Sequence, residues 1–183
     1  MLKNVLLATA CVVGLSTAVP LSVAFAAEET TTLSADAQAA LDAQILSVEA
    51  LVVEYQNDPA GLEAAVESLV TGATDPEVAA NAVLAVFSNS QNPEIRAQLQ
   101  NNAELKAAAG RGLGAAIATL GLTDPDLAAR MLAAVQASGD TTLIASVETG
   151  SDTKTASIKA AADKKAADAE EEDSTPENKA SDD

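Results

Sequence analysis

Large apolar residues recur three and four apart through most of the chain, the spacing that lines one face of an α-helix. Leu41, Ile45, Val48, Val52 and Tyr55 form the first such stripe, and Ser34 precedes it as a capping residue. Leu46, Leu51 and Val53 widen the stripe beyond a two-stranded seam, which predicts packing in a globular bundle rather than a simple coiled coil. Shorter stripes follow at Leu62, Val66, Leu69 and Val70, at Val78, Ala82, Val83 and Val86, and at Leu127, Met131, Leu132 and Val135. At about three turns each, such helices are too short to persist alone, so their stability must come from neighbours.

The helix starts are marked locally. Asp58-Pro59, Asp75-Pro76 and Asn92-Pro93 are 17 residues apart, and Asp124-Pro125 follows 32 later. In each pair the polar side chain can accept from orphan amides of the first turn, and the proline gives up an amide that the helix would not use. The stretches Thr74-Asp75-Pro76-Glu77-Val78 and Thr123-Asp124-Pro125-Asp126-Leu127 are 49 residues apart, and the same offset relates Gly61 to Gly110 and Gly72 to Gly121. This pattern reads as an internal duplication. Gln98, Gln100, Asn101 and Asn102 interrupt the third unit, which predicts a short helix from Pro93, a break near Asn101 and a new helix over 103–120. Leu143, Ile144 and Val147 predict a last short helix beginning after Asp140 or Thr141.

Both ends differ from this pattern. Lys3, the apolar run 5–19, Pro20 and the small residues Ala24 and Ala26 have the layout of a secretory signal cleaved before Ala27. Two rival readings are a retained membrane anchor, since 5–27 is long enough to span a bilayer, and a lipidated Cys11. Residues 27–33 read as a short acidic, Thr-rich leader, and 34–149 as the helical domain. Large apolar residues nearly vanish from 150 onward, which predicts a disordered acidic tail rich in Ala, Lys and Glu over 150–183. The expected fold is all-α: a compact bundle or short solenoid of about six to seven helices, one long and N-terminal, the rest short.

Composition narrows the chemistry. Cys11 is the only cysteine, there is no His or Trp, and Tyr55 and Phe87 are the only aromatic residues after position 26. Beyond that position the chain therefore has no disulfide, no thiolate nucleophile and no imidazole base. All 27 acidic residues and nine of the ten basic ones follow Ala26, so the chain from there carries −18. Nucleic acid and anionic membrane surfaces should repel it, and basic partners should be favoured.

Gly110-Arg111-Gly112-Leu113-Gly114-Ala115 fits the dinucleotide pattern formally, but that pattern cradles a pyrophosphate only where a strand turns into a helix. Here helical residues precede it, and close helix packing is the expectation: Ala108, Gly112 and Ala116 share one face, Gly110 and Gly114 another. Asp75 with Glu77, and Asp124 with Asp126, pair carboxylates as calcium would require, but capping and the helix dipole already explain them. Glu63, Glu67, Glu77 and Glu94 are the carboxylates available to an acid/base hydrolase of cell-wall substrates. Asn81 stands in one copy of the repeat where Arg130 stands in the other, and both are candidate partner contacts on a divergent surface. No catalytic residue, cofactor or metal is expected. The sequence points to an exported, non-catalytic helical protein in the periplasm or outside the cell. Its partner would be another envelope or secreted protein, or a second copy, with no nucleic acid and no membrane span after signal cleavage. The alternatives are a bundle holding a lipid or other apolar ligand and, further off, a carboxylate hydrolase.

Overall fold

The computed structural model describes residues 34–172, with side chains to 165. The expected signal peptide, the leader and the end of the tail from 173 lie outside the described residues. Within them the chain forms seven helices and no strand: α1 (Ala35–Glu54), α2 (Pro59–Gly72), α3 (Pro76–Asn89), α4 (Pro93–Asn101), α5 (Ala103–Leu120), α6 (Pro125–Ala137) and α7 (Thr141–Glu172).

Five of the starts are fixed by the side chains expected to fix them. Ser34 Oγ accepts from the amide of Ala37 at 3.2 Å, Asp58 from Gly61 at 3.0 Å, and Asp124 from Leu127 at 2.9 Å. Asp75 accepts from the amides of Glu77 and Val78, both at 3.1 Å, and Asn92 from Glu94 at 3.1 Å. Four prolines occupy the first helical turn, where a missing amide has no cost. The break in the third unit falls at Asn101, and Asn102 both ends α4 and caps α5 through the amide of Leu105. Gly139, at φ 67°, takes the left-handed conformation that lets the chain leave α6 and turn into α7.

The helices gather around α5, which packs against α2, α3, α4, α6 and α7, while α1 lies outside, chiefly against α3. A solenoid touches mainly its sequence neighbours. Here the corresponding helices of the repeat meet instead, α2 against α5 and α3 against α6. Leu62, Val66 and Val70 of α2, Val83 and Phe87 of α3, and Leu105 and Leu113 of α5 are among the side chains removed from water. Phe87 is 1% exposed and fills the core at the end of α3, whereas Tyr55 is half-buried at the end of α1.

The glycines make this closeness possible. On the α7 side, a Cβ at Gly110 would lie 2.6 Å from Ser146 Cβ, and one at Gly114 would strike the Val147 carbonyl and lie 2.8 Å from the Ser151 amide nitrogen. On the opposite side, a Cβ at Gly112 would strike the Glu63 carbonyl of α2. From α7, a Cβ at Gly150 would lie 2.6 Å from Arg111 Cα. The glycine pattern is thus a packing surface inside one continuous helix, and the strand-to-helix turn of a dinucleotide site is not formed.

Two expectations are corrected. The helix after Asp140 is not short, and the chain does not leave the domain at 150, because α7 continues unbroken to Glu172. Its inner stripe passes through Leu143, Val147 and Gly150 to Lys154, whose Nζ lies 2.7 Å from Glu67 Oε1 on α2. Composition misses this because a glycine and a lysine do the holding there. Second, Leu46 and Val53 do not widen the buried face of α1. They are 68% and 50% exposed, because α1 is peripheral and buries only the strip centred on Val48 and Val52.

Asp140 anchors the start of α7. Its carboxylate accepts from the Leu143 amide at 3.0 Å and pairs with Lys106 Nζ of α5 at 2.7 Å. Burial pushes its pKa up, but the Lys106 hydrogen bond, the amides of Leu143 and Thr142 and the Lys106 charge outweigh it and hold the carboxyl below its ordinary value. A carboxylate with a depressed folded-state pKa stabilises the fold above its unfolded value, and that stabilisation is lost as pH falls through the folded one.

Two measurements follow. Asp75→Ala and Asp124→Ala should each lose about 1 kcal/mol in chemical denaturation, and an unchanged midpoint in both would mean that these caps do not hold the helices. The stability gap between the wild type and Asp140→Asn should be flat near neutral pH and close as pH falls below about 4; a pH-independent gap contradicts the pairing.

Candidate functional site

Apolar surface is left uncovered at Leu122 after α5, at Leu132 of α6 and, as a stripe, on the outward side of α1. Leu46, Ala50 and Val53 follow at helical spacing along it, and all three are exposed. A concavity flanks this stripe on either side, since Ser47, Leu51 and Tyr55 lie roughly 200–280° around the helix from Ile45, with Glu49 one turn beyond it.

On the first side an open groove of about 670 Å³ runs between α1 and α2, walled by Ser47, Leu51 and Tyr55 of α1 and by Ala64, Ala65 and Ser68 of α2. Leu69 of α2 lines it as well, among these smaller neighbours. Gly61 lets the α2 backbone meet the Tyr55 ring, which a Cβ would approach to 2.6 Å. No charged side chain lines this groove.

On the second side a pocket of about 300 Å³ opens between α1 and the C-terminal turn of α3, lined by Ile45, Glu49, Ala85, Val86, Ser88 and Ser90, among others. Glu49 Oε1 accepts from Ser90 Oγ and Oε2 from Asn92 Nδ2, both at 3.3 Å. Ser90 is 4% exposed, and its carbonyl accepts from Arg96 Nε at 3.0 Å and Nη2 at 2.6 Å. These bonds fix the chain where α3 turns into α4. Glu49 was missed in the sequence because isolated acids on helices are usually solvated. The available signal was its position, four residues after Ile45 and three before the buried Val52.

The residues singled out in the sequence are distributed differently. Glu77, Asn81, Ala85 and Asn89 succeed one another four apart along the outer edge of α3. Arg130 of α6 pairs with Glu77 across the repeat, Nε to Oε2 at 3.1 Å, with both side chains largely in water. Asn81 is exposed one turn from that pair, and one turn short of Ala85 at the pocket rim. The two candidates thus lie along one edge leading to the pocket.

Three of the four carboxylates considered for hydrolysis are held in ion pairs. Glu63 pairs with Arg111 Nε at 2.7 Å, Glu67 with Lys154 and Glu77 with Arg130, while Glu94 stays exposed in the first turn of α4. The four basic residues between 27 and 150 are all engaged internally, Arg96 on a carbonyl and Lys106, Arg111 and Arg130 in ion pairs. They relieve repulsion within an acidic body. No helix among the described residues is long and apolar enough to cross a membrane. Comparison with protein-family models, with curated proteins and with solved structures gives no match to this chain.

Proposed function

We propose that this is an exported, non-catalytic interaction protein of the cell envelope, and that it docks a basic amphipathic helix of another exported protein on α1. The observation that carries the reading is the exposed stripe Leu46, Ala50 and Val53 running beside the groove between α1 and α2. Exposed apolar surface beside a groove that combines Leu51, Tyr55 and Leu69 with small residues of α2 suits a helix laid along it, because the small residues let the incoming backbone approach and the large ones offer apolar contact. The excess of acidic residues, with the interior basic ones already engaged, favours a partner whose polar face carries Lys and Arg. The groove is open along its length, which suits a helix better than an acyl chain needing a sheath.

In-cell photo-crosslinking from Ser68 tests this. A discrete adduct is expected whose crosslinked peptide is helical in pattern and net positive. Ala64→Arg, which puts bulk and like charge into the groove, should remove most of that adduct. An adduct indifferent to Ala64→Arg, or none from Ser68, overturns the reading. A co-purified fatty acyl chain in place of the adduct would favour the lipid-binding alternative.

A further inference from the structure

The pocket beside Glu49 has features that the groove lacks. Its carboxylate is half-buried and, among the described residues, has no cationic partner, whereas Glu63, Glu67, Glu77 and Asp140 each have one. Neutral donors at 3.3 Å are a weak substitute for a counter-ion, because a partly desolvated charge is best offset by an opposite one.

The α3 end supplies a second source of negative potential. A helix leaves its last four carbonyls without helical partners, and the aligned peptide dipoles make that end negative. Among the described residues no backbone amide beyond α3 returns to its last turn, and of its last four carbonyls only that of Asn89 accepts from outside the helix, from Gln91 Nε2 at 3.4 Å, leaving those of Val86, Phe87 and Ser88 open. The cation nearest in sequence, Arg96, is spent on the Ser90 carbonyl. A third observation is Ser88, which lines the pocket and whose hydroxyl oxygen is buried without a hydrogen-bond partner among the described residues. The rest of the lining combines an apolar patch, made by Ile45, Ala85 and Val86, with the polar residues Asn89, Ser90 and Gln91.

A carboxylate, a negative helix end, a spare hydroxyl and an alkyl-compatible wall together describe a receptor for a cation on an aliphatic stem. We infer that this pocket binds an alkylammonium group, with the stem against Ile45, Ala85 and Val86 and the ammonium donating to Glu49 and toward the α3 carboxyl end. A primary ammonium has three donors and no acceptor, matching the acceptors offered by the Glu49 carboxylate, the Ser88 hydroxyl oxygen and the open α3 carbonyls. The same chemistry reaches the pocket from a free diamine or from a lysine side chain of a bound protein. This inference is independent of the α1–α2 groove, which lies on the other side of α1.

The test uses the mature chain and NMR titration with 1,5-diaminopentane, with an acetyl- and amide-blocked lysine, and with sodium chloride at matched ionic strength. Saturable shift changes are expected at Ile45 and at 85–91 with the amines and not with sodium. Glu49→Gln should weaken amine binding by at least about tenfold. Ala85→Leu should block the mouth to the same extent while leaving the carboxylate in place, and it carries the test if Glu49→Gln perturbs folding. Tighter binding of the free diamine would assign the site to small amines, and tighter binding of blocked lysine to a protein side chain. Shifts spread over all acidic residues, or identical with sodium, or unchanged in both variants, overturn the inference.

Discussion

The fold depends on how closely α5 approaches its neighbours on two sides. Gly112 brings the backbone of α2 against it, and Gly110 and Gly114 bring that of α7, with Gly150 answering from the other helix. Dispersion forces decay steeply with separation, so backbone-to-backbone packing gains attraction over many atoms that larger side chains would hold apart. Around that spine the other helices need only modest apolar faces. This is how a chain with so few aromatic residues builds a core mainly of Val, Leu and Ala.

The same arrangement explains what remains exposed. With α5 at the centre, α1 is held from one side and keeps an apolar stripe in water. The outer edge of α3, where the two copies of the repeat differ at Asn81 and Arg130, adjoins the pocket at one end. The exposed stripe and the pocket are therefore the margins left by an interior packed for closeness.

Legibility in the sequence follows the range of the interaction. Helix starts were readable because an Asp or Asn before a proline acts within one turn, and the caps at Asp58, Asp75, Asn92 and Asp124 form as expected. The break after Asn101 and the new helix from Ala103 were readable because Gln98, Gln100, Asn101 and Asn102 interrupt the apolar stripe locally. The exposed side of α1 was not, because Leu46 and Val48 differ only in what faces them. The continuation of α7 was hidden because Gly150 and Lys154 matter through Arg111 and Glu67, residues far away in the chain. The Glu49 pocket was hidden likewise, since α1 and the end of α3 meet only in the folded state.

The central claim is that α5 is a packing spine whose glycines are required for size rather than flexibility. Chemical denaturation of Gly112→Ala and Gly114→Ala, beside Gly72→Ala, tests it most directly, because a Cβ at Gly72 meets nothing within 4 Å. Alanine is the better helix former, so Gly72→Ala should hold or gain stability by up to about 1 kcal/mol, whereas each α5 variant should lose about 1–3 kcal/mol through overpacking. If Gly112→Ala and Gly114→Ala are as stable as the wild type, the close approach of α5 to α2 and α7 is not what holds this fold together.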